Sequence, residues 1–256
     1  MSDTILLQRD GALARLTFNR PAFLNAMDFE MGTRWRDLAH ELTADPSVGA
    51  IILDAAGPAF CAGGDVVAMA SSGAGGDAIT EMAHTIHDGI RTFVTSDKPI
   101  VAAVQGAVAG GGLGLMLAAD YIVAAPQAKF VSKYANIGLT PDLGVSTLLP
   151  AAIGERRALR MLLQDVTIDA DTALDWGLVN EVSDDPAART AEVAAFWLEN
   201  ATAAFGQAKR LVRTGAERSF ADNLADEART IGAAFGTDAS KVRVAAFAAA
   251  SRKSAR

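Results

Sequence analysis

Lys98-Pro-Ile-Val-Ala-Ala-Val-Gln-Gly106-Ala-Val-Ala-Gly110-Gly-Gly-Leu-Gly114-Leu-Met-Leu-Ala-Ala119 is the stretch whose reading decides the fold. From Pro99 to Ala119 it carries no charged residue, which satisfies the length rule for a transmembrane helix. Its composition argues otherwise. Gly106, Gly110, Gly111, Gly112 and Gly114 all fall inside it, and each glycine in a helix interior costs about 1 kcal/mol relative to alanine. The apolar run Ile100–Val104 therefore predicts a buried strand, followed by a Gly-rich turn and a short buried helix to Ala119. Tyr121–Ala124 reads as the next strand.

Working outward, Ala50–Leu53 is a second wholly apolar strand, as expected where both faces of a sheet are covered. It leads into Gly57-Pro-Ala-Phe-Cys-Ala-Gly-Gly-Asp65, a loop opening a short helical turn, and then into Ser71–Gly76, a small and polar surface loop. Ile79, Met82, Ile86, Ile90 and Phe93 form the stripe of a helix. Near the N-terminus Ala14, Leu16 and Phe18 alternate as in a strand ended by Asn19-Arg20-Pro21. Asp28 is placed to cap a helix carrying Met31, Trp35, Leu38 and Leu42, which Asp45-Pro46 ends. Repeated strand–helix units predict an α/β fold with mainly parallel pairing. Trp176 reads as core. After Val182 the chain turns Ala-rich and helical, including 220–235 and 241–247. The expected organisation is an α/β core over 1–185 and a helical C-terminal segment over 186–256, serving packing, oligomerisation or cover of a pocket.

The chain has 256 residues, a formal net charge of −7 and a hydrophobic half, which is ordinary for a globular protein. No basic stripe interleaved with aromatics is visible, so nucleic acid is not an expected partner. The acidic balance leaves room for a local basic pocket. Cys61 is the single cysteine, so no internal disulfide forms and a reducing, cytoplasmic setting is expected. The opening residues lack the pattern of a secretory signal.

Both glycine loops follow an apolar strand, where open α/β sheets bind ligands. Glycine lets backbone approach a ligand closely. A backbone N–H aimed at developing negative charge is a strong catalytic device, and losing one donor can cost about 10²–10³ in rate. The alternative reading of each loop is close strand–helix packing. Neither loop matches the dinucleotide or Walker fingerprints.

Four segments taken together carry a resemblance. Asn19-Arg-Pro-x-x-x-Asn25-Ala26, Ala59-Phe-Cys-Ala-Gly-Gly-Asp65, Lys98-Pro-Ile-Val-Ala-Ala-Val-x-Gly106 with Gly110-Gly-Gly112, and Ala173-x-x-Trp-Gly-Leu-Val-Asn-Glu-Val182 occur in that order. This pattern resembles the crotonase (enoyl-CoA hydratase/isomerase) family over roughly residues 5 to 185. The resemblance implies a crotonase-like ββα-spiral core, an acyl-CoA thioester substrate, no metal or redox cofactor, and a homotrimer or hexamer. It implies that Gly64 and Gly111 donate to a thioester enolate, that Ala62, Gly63, Gly64 and Asp65 line the CoA adenine site, and that Leu24 borders the CoA channel.

The sequence also departs from that pattern. Family hydratases carry two glutamates as an acid/base pair, at the positions held here by Gly114 and Tyr134. Glycine can neither activate water nor deliver a proton, and a tyrosine with a pKa near 10 is a poor base. The resemblance implies that the loop Gly138-Leu-Thr-Pro-Asp142-Leu-Gly144 faces the substrate's acyl carbons, which makes Asp142 an available carboxylate, with helix capping as its alternative role. One carboxylate suffices for isomerisation, since it can take a proton at one carbon and return it at another. The expected activity is a double-bond shift in an unsaturated acyl-CoA. In it Gly64 and Gly111 hold the enolate oxygen, Asp142 moves the proton, and Tyr134 shapes the pocket as a candidate hydrogen-bond donor.

Two alternatives stand beside it. His87 with Asp142 also resembles the hydrolytic aryl-CoA dehalogenase branch, in which the aspartate is a nucleophile and a histidine assists water, although an aromatic there fills the position of Gly64. Hydrolysis by a dehalogenase or thioesterase is one alternative, and a non-catalytic acyl-CoA-binding protein is the other. His84 and His87 form H-x-x-H, but His84 lies on the polar side of its helix, so metal is not expected. Cys61 reads as a packing residue, with no base near it in sequence.

Overall fold

The apolar and alternating segments become one six-stranded sheet and a smaller three-stranded one. The structure, a computed structural model, describes residues 4–254. In chain order the elements are β1 (Ile5–Asp10), β2 (Leu13–Phe18), α1 (Phe29–Ala44), β3 (Ala50–Ala55), α2 (Val66–Ser71), α3 (Gly76–Thr95), β4 (Ile100–Val104), β5 (Ala107–Ala109), α4 (Gly111–Leu117), β6 (Tyr121–Ala124) and β7 (Lys129–Val131). They continue with α5 (Val145–Ile153), α6 (Glu155–Gln164), β8 (Ile168–Asp169), α7 (Ala170–Trp176), β9 (Glu181–Val182), α8 (Pro186–Glu199), α9 (Thr202–Gly215), α10 (Phe220–Phe235) and α11 (Asp238–Ser254).

The large sheet runs β1-β2-β3-β4-β6-β9, with β1 antiparallel to β2 and every other neighbour parallel. The small sheet runs β5-β7-β8. Residues 99–119 thus divide into β4, β5 and α4, and no helix among the described residues is long and apolar enough to cross a membrane.

Both faces of the large sheet are covered, which explains its apolar strands. On β3, Ile51 and Leu53 face the main core while Ile52 faces the opposite side. The main core is anchored by α1 and α3, where Trp35 and Phe93 meet edge-on with ring centroids 4.9 Å apart and Phe60 sits 5.3 Å from Phe18. Such pairs add about 0.5–1.5 kcal/mol beyond their burial. Asp28 caps α1 through Met31 N–H. On the other face Ile52, Val101 and Val123 pack against Val193 and Ala194 of α8.

The helical stretch after Val182 is therefore not uniform. α8 belongs to the sheet, and α9 is pinned to it by a buried charge. Lys209 Nζ donates to Phe93 O (2.8 Å) and Lys98 O (2.6 Å) and pairs with Asp120 at 3.1 Å, while Arg213 meets the other Asp120 oxygen at 3.2 Å. Burial pushes the Lys209 ammonium below its ordinary value, and Asp120 opposes that shift. α10 is tethered through Asp226 to Arg210 and Arg218. Beyond this, α10 and α11 leave Phe220, Ile231, Phe235, Val242 and Phe247 exposed.

Removing one partner of a buried pair leaves the other charge uncompensated. Asp120→Ala is expected to destabilise the protein by about 3–5 kcal/mol, read as a fall in the urea midpoint at unchanged slope.

Candidate active site

The first glycine loop is clamped by the turn that follows β2. Leu24 (φ +51°) and Asn25 (φ +56°) both sit in the left-handed region, a costly arrangement for consecutive non-glycine residues. Asn25 sustains it from within. Its Oδ1 accepts Arg20 N–H at 2.7 Å, and its Nδ2 donates to Ala56 O and Ala59 O, both at 2.8 Å. This turn then grips the loop: Ala62 N–H donates to Leu24 O, Met27 N–H to Gly63 O, and Asp65 N–H to Met27 O. Arg20 completes the clamp. Its guanidinium donates to Ala26 O and reaches both Asp65 and Asp28 at 2.9 Å. Asp65 in turn caps α2 through Ala68 N–H, and these bonds hold its carboxyl below the usual range against its own desolvation.

The result is selective. Cys61 N–H is taken by Ala107 O, Gly63 N–H by the Cys61 sulfur, and Val66 N–H by Gly64 O. Of the backbone donors from Cys61 to Val66, Gly64 N–H alone has no acceptor among the described residues.

The second loop meets the first through backbone. Cys61 exchanges hydrogen bonds with β5, donating to Ala107 O and accepting from Ala109 N–H. Gly63 lies so close that a Cβ there would sit 2.8 Å from Ala109 O and 3.4 Å from Gly111 N. Gly110 turns the chain with φ +51° and donates to Val131 O. Gly111 then begins α4, and its N–H has no acceptor among the described residues, as expected of the first donor of a helix. Gly64 and Gly111 thus present two free N–H groups from adjoining segments. Leu24 is partly exposed on the rim of the same loop, and Ala62 is half-buried. Cys61 is fully buried, and desolvation pushes its thiol up to about 12, which makes it a packing residue.

The third wall is the loop before α5. Asp142 is not a cap: Gly144, at φ +79°, occupies the cap position of α5, and no side chain bonds there. The alternative of helix capping is therefore set aside. Asp142 Oδ1 instead lies 3.6 Å from where a Cβ of Gly111 would be, and it accepts the Tyr134 hydroxyl at 2.5 Å. The protein around it pushes the Asp142 carboxyl above the usual range, while Tyr134 and His87 draw it back. Asp142 is nonetheless exposed as a residue, and contact with solvent moderates the rise. Burial raises the Tyr134 phenol further, with the Asp142 charge adding to it, so Tyr134 serves as a donor and not as a base. His87, half-buried on α3, accepts Leu143 N–H at its Nε2 (3.0 Å). His84 is exposed, its ring 6.4 Å from that of His87.

Gly114 has a steric reason. A Cβ there would run into the carbonyl oxygen of Leu143, and one at Gly111 would lie 2.7 Å from Leu143 Cδ1. Leu143 itself adopts φ +49° and is buried. The space a glutamate would need at 114 is filled by backbone.

Comparison with known proteins follows this geometry. The enoyl-CoA hydratase/isomerase family profile matches residues 8–253. The chain belongs to this family. It is 38% identical over 194 residues to a probable enoyl-CoA hydratase (echA14) of Mycobacterium tuberculosis, covering 75% of each chain. It is 31% identical to a 4-chlorobenzoyl coenzyme A dehalogenase of Arthrobacter, over 95% of this chain and 90% of that one. Among solved structures, an enoyl-CoA hydratase/isomerase from Mycobacterium abscessus superposes with a TM-score of 0.88 at 33% identity, over 96% of both chains. The crotonase-type fold and membership of an acyl-CoA-processing enzyme family are thereby fixed. Within the family frame, Arg20 and Asn25 are site-building residues whose side-chain roles went unread in the sequence, although both stand in its first quoted motif.

Filling the Leu143 space has a predictable cost. Gly114→Ala is expected to lose about 1–3 kcal/mol or more through overpacking and to displace the Asp142 loop. Gly76→Ala, built into open space in the first turn of α3, should not lower the thermal midpoint in the same measurement.

Proposed function

We propose that the protein catalyses a double-bond shift in an unsaturated acyl-CoA, with Asp142 as the single proton carrier. The observation that carries this reading is the position of the Asp142 carboxylate against Gly111, beside two unpartnered backbone donors. The thioester oxygen would lie between Gly64 N–H and Gly111 N–H, where negative charge develops when a proton leaves the carbon next to the carbonyl. Asp142 takes that proton and returns it two carbons further along, so a 3-enoyl thioester becomes a 2-enoyl thioester with no net gain or loss of atoms. A carboxyl raised above its ordinary value is better matched to this exchange than an ordinary aspartate. The Tyr134 hydroxyl keeps the base ionised and aimed. No metal or redox group enters the scheme, CoA being carried on the substrate.

Hydration is disfavoured because it needs a second acid/base group, and the two positions for it hold Gly114 and a tyrosine already bonded to Asp142. Hydrolysis through Asp142 draws support from the His87–Asp142 cluster and from the dehalogenase relative. Against it, the Nε2 lone pair of His87 is engaged by Leu143 N–H, so the ring has no free nitrogen with which to activate water.

Proton exchange in deuterated water with a 3-enoyl-CoA tests the reading. Wild type should exchange and isomerise, and Asp142→Asn should lose about 10²–10⁴-fold in rate. Equal exchange in both would remove Asp142 from the chemistry. Release of halide or free CoA would favour hydrolysis, and tight binding without exchange would favour a binding protein.

The same assay against pH has a definite sign. Activity should fall as Asp142 is protonated, with the midpoint above the ordinary aspartate value of about 3.9 because the carboxyl is raised in the folded chain.

A further inference from the structure

The loop that carries Asp142 holds a conformation its sequence does not favour. Leu143 is a buried leucine at φ +49°, followed by Gly144 at φ +79°. Leucine gains nothing locally from the left-handed region, so such a residue persists only where its surroundings enforce it. Packing of the Leu143 side chain over Gly111 is one restraint. The other is directional: Leu143 N–H points at His87 Nε2, 3.0 Å away on α3. Imidazole nitrogen accepts a hydrogen bond only when it carries no proton, so the neutral ring bears its hydrogen on Nδ1.

We infer that His87 is a positioning residue: its Nε2 lone pair holds Leu143 N–H, keeps Leu143 and Gly144 in their left-handed turn, and so aims the carboxylate of the preceding Asp142 at Gly111. The inference rests on Asp142 as the proton carrier. His87 does not move a substrate proton in this scheme, because the nitrogen that could act as the base is occupied.

The arrangement is sensitive to acid. A protonated ring presents two donors and no acceptor, so it must release Leu143 N–H. Two titratable groups bear on this ring among the described residues. Asp142 favours the protonated form, and His84, one turn earlier on α3, opposes it. Burial outweighs the attraction of Asp142, and the ring stays neutral to a pH below its ordinary value. Over that window the unfolded chain binds more protons than the folded one, so stability rises with pH. In acid a cationic His87 would also turn toward the Asp142 carboxylate and compete with the substrate proton for it.

Two variants and one spectrum test this. Glutamine offers an untitratable carbonyl acceptor for Leu143 N–H, and leucine offers none. His87→Leu is expected to lower kcat for 3-enoyl-CoA isomerisation by about 10²-fold, the scale of a misaimed catalytic group, with KM little changed. His87→Gln should keep most of the wild-type kcat and lose whatever part of the acid limb belongs to His87. In wild type, ¹⁵N shifts of the imidazole should show the Nδ1–H tautomer at neutral pH, and the Leu143 amide should titrate with the ring. This spectrum needs neither a variant nor activity, so it separates failure of this inference from failure of Asp142 as base, which Asp142→Asn reports. An Nε2–H tautomer, or a folded His87→Leu with wild-type kcat and pH profile, would overturn the proposal. So would a His87→Gln as inactive as His87→Leu, since the ring would then be moving protons itself.

Discussion

The backbone joint between Cys61 and β5 is the constraint on which the site depends. Cys61 donates to Ala107 O and accepts from Ala109 N–H, which locks two Gly-rich segments side by side as a parallel bridge. A Cβ at Gly112 would strike Cys61 O, and one at Gly63 would crowd Ala109 O. The glycines are thus required by proximity before any question of chemistry arises. With the joint formed, the turn at Leu24–Asn25 consumes the neighbouring donors and leaves Gly64 N–H free. Close packing and donor placement are the same event here, so the two readings of these loops in the sequence were not truly rivals.

Much of the frame was legible because its signals are local. The strands at Ala50–Ala55 and Ile100–Val104, the cap at Asp28 and the division of residues 99–119 all follow from periodicity, glycine cost and capping chemistry. The small sheet was not legible, since β5 and β7 have three residues and β8 has two. Runs so short carry no period, and they form only because larger elements bring them together. The exposed apolar residues of α10 and α11 likewise mark helices without showing what they meet.

The chemistry of the third wall was half legible. Asp142 could be singled out through the family resemblance, which implies that its loop faces the substrate, once Gly114 and Tyr134 were seen to lack carboxylates. Its partners could not. Tyr134 lies eight residues away and His87 fifty-five, across an intervening sheet and helix. The left-handed turn at Leu143 has no sequence signature, because leucine does not advertise positive φ as glycine or asparagine does. The cap reading of Asp142 lost to Gly144, a residue whose position is set by that same turn.

The occupied space beside Gly114 bears on how this site can change over generations. A carboxylate placed at 114 meets the Leu143 carbonyl before it meets any substrate, so the first step toward a two-carboxylate site is a step down in stability. The loop must be rebuilt first, and rebuilding it disturbs Asp142. A two-carboxylate site on this backbone therefore asks for several concerted changes, and the order in which they arise matters. The two arrangements are separated less by their chemistry than by a single peptide group, that of Leu143.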